Sequence, residues 1–394
     1  MNNLQLMSNE VSEELLNHIV PFWNALKDDR GGFYGSVDFD LNLHKDAVKG
    51  VILNSRILWF YSNLYLTTKD TNALANAHHA YLFLKLNCFD EQYGGVYWMM
   101  NYNGTPNDDM KHTYNQAFAI YGLSSYYAAS GDKEALQLAY RLYHTIEEKC
   151  TDVYGYMEAF DRYWQPINNE KLSEDGFDAK KSMNTLLHVM EAYTELYRVE
   201  GNAEVGRSLK ETLLLCENKV YNSQLHTLGV FFNKQMKSSA DLYSYGHDIE
   251  ATWLIDRACQ VLKDDVLTAQ LGDITSKIAK KVLASAFEKG ALNNQCCRGV
   301  VDQTRVWWVQ AESVIGFLNE YQKSGDEKFL QVSLQIWQYI KDHIIDKRSG
   351  SEWYWCVDDH GEPSQKKPIV EPWKCPYHNS RMCMEVIKRN ADFQ

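Results

Sequence analysis

The chain has 394 residues, 45% hydrophobic and 23% charged, a balance typical of a globular protein with a sizeable core. Its net charge of −12 disfavours nucleic acid and anionic membranes as partners, because a phosphate-binding face needs a surplus of basic residues. No stretch reaches the roughly 18 uninterrupted apolar residues of a membrane span, and the N-terminus lacks a secretory signal pattern. We expect a monomeric, cytoplasmic protein that acts on a small neutral molecule.

Three kinds of segment alternate along the chain: an amphipathic helix, a loop rich in glycine and aromatic residues, and a more apolar helix. In the first unit these are a helix over 10–26, the loop DDRGGFYGSVDFDLNL and the helix from Val51 to Leu66. The same unit recurs along the rest of the chain. Its outer helices are predicted near 71–87 and 264–287 and in the runs GDKEALQLAYRLYHTIEE, GNAEVGRSLKETLLL and GDEKFLQVSLQIWQYI. The second helices are predicted to begin near residues 51, 112, 181, 245, 305 and 377.

The spacing of these units is longer than that of most helical solenoids. The second helix of each unit is apolar on nearly all sides, so it must be buried all round. A linear solenoid would leave open ends that need polar caps, whereas a closed ring buries every such helix. We therefore predict an all-α fold, an (α/α)6 barrel of six inner and six outer helices, with short β-hairpins in the loops. We expect residues 1–394 to form one domain.

In such a barrel the N-termini of the inner helices meet at one end, beside the aromatic loops. Helix starts present unpaired N–H groups and a positive dipole end, which favour developing negative charge. Polar and aromatic side chains cluster in these first turns: Asn54, Arg56, His112, Tyr114, Asn115, Asn184, His188, His247, Glu250, Trp307, Trp308, Glu312, Trp373, His378 and Arg381. The sequence predicts a concave site with bases, arginine and indole rings.

Two of these histidines suggest proton transfer. In YGHDIEATWLID, His247 and Glu250 are three residues apart on one helix face, so we interpret Glu250 as the carboxylate that orients the imidazole. Pro376 suits a first helical turn, which places His378 at a helix start with Arg381 on the same face. Two neutral imidazoles facing one cavity can remove a proton from one side of a carbon and return it on the other. Arg56 or Arg381 would stabilise an enediolate oxygen.

Other interpretations of the same residues stay open. The histidines can have structural roles, and Arg56 can form an ion pair with a loop aspartate. No metal is expected, because His247 and Glu250 lack the H-E-x-x-H spacing and the nine cysteines show no regular ligand framework. A glycosidase would use two carboxylates, for which Glu250 and Glu312 are candidates, but it would leave the paired histidines without a role.

Several runs of sequence carry a resemblance to a known family. They are KGVILNSRILWF, YGGVYWMM, KHTYNQAFAIYGLSSYY, SYGHDIEATWL, TRVWWVQAE and WKCPYHNSRMCMEVI. With these runs the chain resembles, over essentially its whole length, the N-acylglucosamine 2-epimerase superfamily and within it the cellobiose 2-epimerase group. The resemblance implies an (α/α)6 barrel that converts the reducing-end glucose of β-1,4-linked disaccharides, such as cellobiose and lactose, to mannose. An aldose–ketose isomerase or a mannose 2-epimerase remains the alternative, and the preferred sugar stays open.

The resemblance also implies roles for individual residues. The catalytic set would be His247, His378, Glu250 and Arg56, with His378 as base and His247 as acid in the glucose-to-mannose direction. The substrate-binding set would be Tyr114, Asn184, His188, Trp307, Trp308, Trp373 and Glu312. The sugar ring opens, a proton leaves C2, the enediolate rotates, and a proton returns on the other face, so no redox cofactor is needed. Ser380 departs from the glycine expected after Asn379, which should alter packing more than chemistry.

Overall fold

The computed structural model describes residues 3–168 and 179–392. The domain predicted over 1–394 also includes 1–2, 169–178 and 393–394, which lie outside the described residues. The helices in chain order are α1 (Asn3–Glu14), α2 (Val20–Ala25), α3 (Val51–Thr68), α4 (Thr71–Phe83), α5 (Thr113–Ser130), α6 (Lys133–Thr145), α7 (Met183–Glu200), α8 (Ala203–Leu215), α9 (Tyr245–Leu262), α10 (Asp265–Ala286), α11 (Trp307–Ser324), α12 (Glu327–Tyr339) and α13 (Tyr377–Asp392).

The odd-numbered helices from α3 to α13 form a closed inner ring. Each packs against the next, α3 on α5, α5 on α7, α7 on α9, α9 on α11 and α11 on α13, and α13 packs back on α3. The outer layer consists of α4, α6, α8, α10 and α12, each against the inner helix that precedes it, and of α1 against α13. The predicted (α/α)6 barrel is confirmed. No helix within the described ranges is both long and apolar enough to cross a membrane.

Tight turns join each inner helix to the following outer helix. The inner helix ends in a left-handed residue, which is Lys69, Gly131, Gly201, Lys263 or Gly325. The next residue caps the outer helix by accepting a backbone N–H bond, and it is Asp70, Asp132, Asn202, Asp264 or Asp326. These turns reverse the chain over two residues, so all inner helices start at the same end of the barrel.

Most of the predicted helix boundaries agree closely with the structure, with one clear exception. The first outer helix begins at Asn3 rather than near Glu10. Its early residues Leu4 and Met7 are buried, and α1 packs on α13. The outer layer also contains five-residue π-helical turns, which follow α1, α4, α6, α8 and α12: Leu15–Ile19, Leu84–Cys88, Ile146–Cys150, Cys216–Val220 and Ile340–Ile344.

Short antiparallel strands occupy the loops that precede the inner helices. They are β1 (Lys49–Gly50), β2 (Met99–Met100), β3 (Pro106–Asp108), β4 (Lys111–His112), β5 (Thr151–Asp152), β6 (Gly155–Tyr156), β7 (Ala159–Phe160), β8 (Lys181–Ser182), β9 (Tyr221–Asn222), β10 (Thr227–Leu228), β11 (Phe231–Phe232), β12 (Leu242–Ser244), β13 (Phe287–Glu288), β14 (Ala291–Leu292), β15 (Gln295–Cys297), β16 (Val300–Asp302), β17 (Arg305–Val306) and β18 (Cys356–Val357). The strand before one inner helix pairs with a strand of the next loop, as in β1–β2, β4–β7, β8–β11, β12–β15 and β17–β18. A bridge between Val37 and Val370 joins the first loop to the last, so the loops form a belt around the barrel end.

Buried side chains hold this belt to the inner helices. In the first turn of four inner helices an amide or carboxylate oxygen accepts a backbone N–H of the preceding loop; these residues are Asn54, Gln116, Asp248 and Gln310. Just before three inner helices a buried lysine bonds a loop aspartate: Lys49 to Asp28, Lys111 to Asp90 and Lys181 to Asp152. Buried polar groups need such partners, so these contacts fix the loops around the barrel mouth.

Candidate active site

A cavity of about 540 Å³ opens where the inner helices begin. Its volume is within the usual range of small-molecule sites. Every inner helix contributes to its inner wall, through Arg56, Tyr114, Asn184, His188, His247, Glu250, Trp307, Trp308 and His378, and Trp373 joins them from the loop before α13. The cavity therefore brings together every residue of the predicted catalytic and substrate-binding sets except Glu312, whereas the other first-turn candidates Asn54, His112, Asn115 and Arg381 do not line it.

His378 lies at the start of α13 and is tied to a carboxylate. Its Nδ1 is 2.8 Å from Oε1 of Glu312. That oxygen also accepts from Nη2 of Arg381 at 2.7 Å, so we assign the proton of the imidazole bond to Nδ1. Burial, followed by the charges of Arg381 and Arg56, holds the pKa of His378 well below its ordinary value. The ring is therefore neutral near pH 7, with the Nε2 lone pair available as a base.

His247 lies near the start of α9 and has a neutral partner. Its Nδ1 is 2.7 Å from Oγ of Ser244, the N-cap residue of α9. Burial, with a smaller effect from His188, lowers the pKa of His247 to about 3. The predicted pairing of His247 with Glu250 was wrong: the hydrogen bond of Glu250 goes to Arg381. The two residues share a helix face, but the guanidinium from α13 lies closer to the carboxylate.

Arg381 is the centre of a buried ion cluster under the cavity. It bonds Glu191, Glu250 and Glu312, which come from three different inner helices. One guanidinium cannot balance three buried carboxylates. Burial raises the pKa of Glu250 and that of Glu312 to about 7, with Arg381 opposing both shifts. At Glu191, burial is outweighed by Arg381 and His188, which lower the pKa to about 2.

The ion cluster contains two residues, Arg381 and Glu312, that the sequence predicted to contact the substrate. Arg381 is buried and does not line the cavity, whereas Arg56 does, so Arg56 is the better placed of the two arginines for a substrate oxygen. Glu312 is also behind the wall, where it bonds His378, and its direct contact with a sugar stays a prediction. Glu250, Glu312 and His378 present three ligand atoms close together. Arg381 already bonds both carboxylates, so a second cation there would meet a fixed positive charge.

Arg56 is a buried arginine on the cavity wall. Its Nη2 donates to the Tyr114 hydroxyl at 2.7 Å and its Nη1 to the Trp373 carbonyl at 3.2 Å. The guanidinium carbon is 4.1 Å from the ring centre of Phe118 and 4.7 Å from that of Tyr377. The contacts of Arg56 in the described part of the chain include no carboxylate, so the alternative of an ion pair with an aspartate of the described loops was wrong. A buried cation without a carboxylate partner among these residues is suited to an anionic oxygen.

Several polar atoms on the wall lack a protein partner among the described residues. They are Nε of Arg56, Oδ1 of Asn184, Oε2 of Glu250 and Nε1 of Trp307. Unsatisfied buried polar groups are costly, and they are tolerated where a ligand or water completes their hydrogen bonds. Donors and acceptors are mixed in this set, as recognition of a polyhydroxylated molecule requires. Indole rings provide the apolar surface beside them.

The remaining predicted histidines have different surroundings. His188 lines the cavity, and its Nδ1 is 2.8 Å from Oε2 of Glu191. His112 is buried beside Trp98, and its Nδ1 accepts the backbone N–H of Tyr114 at 3.3 Å, so it caps α5 and does not line the cavity. The amide of Asn115 donates to the backbone of the preceding loop, which makes it a structural residue like Asn54.

Sequence reasoning missed the outer wall of the cavity. Its polar residues come from loops: Ser244, Asn294, Gln295, Asp302, Thr304, Lys367 and Glu371. Trp355 adds an indole, whose Nε1 donates to Glu371 at 2.9 Å and whose ring centre is 4.1 Å from Nζ of Lys367. The only signal for these positions was their place in aromatic loops, and that signal does not separate wall residues from exposed ones.

Comparisons with known proteins identify the family. The N-acylglucosamine 2-epimerase (GlcNAc 2-epimerase) family matches residues 32–380. A cellobiose 2-epimerase of Ruminococcus albus is 56% identical, and the match covers 98% of this chain and all of that protein. A sugar epimerase from a ruminal bacterium superposes with a TM-score of 0.96 at 56% identity over 97% of this chain and 99% of that one. The cellobiose 2-epimerase of Bacillus thermoamylovorans gives 0.95 at 46% identity, over 98% and 100% of the two chains.

Both the extent and the degree of these matches exceed what a shared barrel fold alone would give. The chain belongs to the N-acylglucosamine 2-epimerase family and is a carbohydrate epimerase of the isomerase class.

Proposed function

We propose that this enzyme inverts C2 of the reducing-end glucose of a β-1,4-linked disaccharide, converting cellobiose to glucosyl-mannose and lactose to epilactose. The observation that carries this proposal is the pair His247 and His378, which line one cavity from different helices. Their ring centres lie 4.7 Å and 5.5 Å from that of Trp308. Both have depressed pKa values caused chiefly by burial, so both are neutral bases at pH 7.

The reaction begins with ring opening, which needs a base at O1 and an acid at O5. His247 takes the O1 proton and becomes an imidazolium, which later returns this proton to C2. Glu250 gives a proton to O5, because burial raises its pKa to about 7 and its Oε2 has no protein partner among the described residues. The open-chain aldehyde then acidifies the proton at C2.

Proton transfer at C2 inverts the centre. Nε2 of His378 removes the proton, and its Nδ1–H remains fixed to Glu312. The enediolate oxygen is held by Arg56, which has no carboxylate partner among the described residues. Rotation about the C2–C3 bond presents the other face of C2 to His247, which returns a proton. On ring closure the proton held by His378 passes to O1 and the proton on O5 returns to Glu250, which restores all three side chains to their starting states. The reverse reaction exchanges the roles of the two histidines.

The outer wall supports a disaccharide as substrate. The inner part of the cavity can hold the reducing-end sugar against Trp308 and Trp373. Trp355, Lys367 and Glu371 then line the side on which a second sugar would extend. The matched cellobiose 2-epimerases support the same substrate class. A cytoplasmic location and a monomeric state remain predictions.

Proton NMR of cellobiose incubated in D2O, and separately of mannose, tests the proposal. The expected result is deuterium at C2 together with a glucosyl-mannose product from cellobiose. A ketose product would place the second proton transfer at C1 and support an aldose–ketose isomerase instead. Release of free glucose without exchange at C2 would contradict the two-histidine mechanism and point to a hydrolase.

A further inference from the structure

A second cavity, of about 350 Å³, lies at the opposite end of the barrel from the sugar site. The last turns of α9, α11 and α13 surround it, and we call it the basal cavity. Its charged lining residues are Arg257, Lys323, Glu385, Lys388 and Arg389. None of them lines the sugar cavity.

The charges around the basal cavity do not balance. Three cations share the single carboxylate of Glu385: Arg257 Nη1 lies 2.9 Å from it, Arg389 Nε 3.5 Å and Lys388 Nζ 3.9 Å. The fourth cation, Lys323, lies 2.9 Å from Asp256 and 3.6 Å from Glu320. The four cations that line the cavity are thus ion-paired with three carboxylates, a surplus of one positive charge in a chain whose net charge is −12. Glu195 also acts on Arg257 and Lys388, but it is itself paired with Arg198.

Helix geometry explains only part of this arrangement. Basic side chains near helix C-termini offset the negative end of the helix dipole, which they can do while fully solvated. Here the Arg389 side chain is only 14% exposed, and its Nη1 is occupied by Asn319 and Gln322. Burial lowers the pKa of Lys388 and that of Arg389 despite the nearby Glu385. The protein thus desolvates cations for which it provides too few anions.

We infer that the basal cavity binds an oxyanion, either inorganic phosphate or the phosphate group of a monoester. A guanidinium fork and an ammonium group are the side chains that bind phosphate oxygens best. Arg257 and Lys388 have exposed fractions of 36% and 38%, so their head groups are accessible to a ligand from solvent. The cavity volume exceeds that of a phosphate ion, which leaves space for the organic part of a small phosphate ester.

Isothermal titration calorimetry with inorganic phosphate, and in parallel with glycerol phosphate, tests this inference. We expect saturable binding with a Kd of about 1 mM or tighter, and weakening by about tenfold in Lys388→Gln. Lys281→Gln is the matched control, because it removes the same charge from an exposed position on α10 and should leave binding unchanged. Tighter binding of the ester would identify a phosphorylated metabolite as ligand, and equal binding would identify free phosphate.

The sugar cavity is the competing site for phosphate, because Arg56 lines it and has no carboxylate partner within the described ranges. The variant Arg56→Lys separates the two sites, because it should not change the phosphate affinity of the basal cavity. No saturable binding, equal binding in wild type and Lys388→Gln, or loss of binding in Arg56→Lys would each overturn the inference. Crystals grown with tungstate, a heavy tetrahedral anion, should show an anomalous peak beside Arg257 and Lys388; a peak confined to the sugar cavity would overturn it as well.

Discussion

The starts of α13 and α9 each carry a histidine of the sugar cavity, but the two regions are built differently. At the start of α13, His378 bonds Glu312, which belongs to the ion cluster around Arg381. At the start of α9, the hydrogen-bond partner of His247 among the described residues is the hydroxyl of Ser244. One imidazole is thus oriented by an ionic network that spans several inner helices, and the other by the neutral residue that directly precedes its own helix.

In the proposed mechanism, this difference gives the two histidines different roles. The carboxylate of Glu312 favours a charged imidazole at His378 and opposes the effect of Arg381 and Arg56, so His378 is suited to take a proton from carbon and keep it briefly. A hydroxyl offers His247 less stabilisation, so an imidazolium formed there returns its proton more readily. We infer that the asymmetry assigns proton removal from the glucose form to His378 and proton return to His247.

The largest expected effect comes from removing either base. His378→Asn and His247→Asn should each reduce kcat/KM for cellobiose by about 10³-fold, because general acid–base catalysis contributes on this scale. Circular dichroism and thermal unfolding should show the barrel intact. Activity within tenfold of wild type in either variant would show that this histidine is not a catalytic base. The proposed difference in role between His378 and His247 would then be wrong.

Arg56 tests whether the two histidines act on a common anionic intermediate. Arg56→Lys keeps a positive charge but loses the fork that reaches Tyr114 and the Trp373 carbonyl. We expect kcat to fall by about 10²-fold with a smaller change in KM, because the contact strengthens in the transition state. A change confined to KM would mean that Arg56 binds the ground state only. Steady-state kinetics with cellobiose separates the two results.

The partners of the histidines give the sharpest test of the asymmetry. Glu312→Gln replaces a charge-assisted bond to His378 by a neutral one, which should lower kcat by about 10- to 100-fold. Ser244→Ala removes the neutral bond of His247 and should cost only about threefold to tenfold. Equal losses in the two variants, measured under the same conditions, would show that the surroundings of the histidines do not distinguish their roles.

The sequence was sufficient for the barrel because its signals are local and repeated. Apolar inner helices contrast with loops rich in glycine and aromatic residues, so starts predicted near 112 and 181 lie within two residues of Thr113 and Met183. The same repeat predicted which residues form the cavity wall, because the first turns of all six inner helices meet at one end of the barrel. The early start of α1 was missed because only Leu4, Leu6 and Met7 are apolar among residues 2–10, and Leu6 is exposed, so the apolar pattern of a helix is weak there.

The partners within the site could not be predicted, because they depend on contacts between helices. A spacing of three residues puts His247 and Glu250 on one face, but it cannot show that Arg381 from α13 approaches the carboxylate. The same limit applies to Glu312, whose position at a helix start suggested a sugar contact although it packs behind His378. Helix periodicity predicts on which face of a helix a residue lies. Its hydrogen-bond partner from another helix is set by tertiary packing.

The smallest expected effect is a change of kcat/KM on the acidic side of the pH profile. It tests the depressed pKa that the two histidines have in common. Burial depresses the pKa of both, so both stay neutral as the pH falls below the ordinary histidine value. We expect kcat/KM at about pH 5.5 to remain within about threefold of its value at about pH 7, whereas a histidine with an ordinary pKa of about 6.5 would give a loss of roughly tenfold. Stopped assays with cellobiose over this range measure the profile.

The alkaline side of the same profile should depend on Glu250. Its raised pKa, about 7, means that it holds a proton below this pH and loses it above, so ring opening should slow as the pH rises through that value. Glu250→Gln should lower the rate and abolish this alkaline decline, because an amide has no proton to lose there. Persistence of the decline in the variant would assign it to another group, and a steep acidic loss in wild type would contradict the depressed pKa values of His247 and His378.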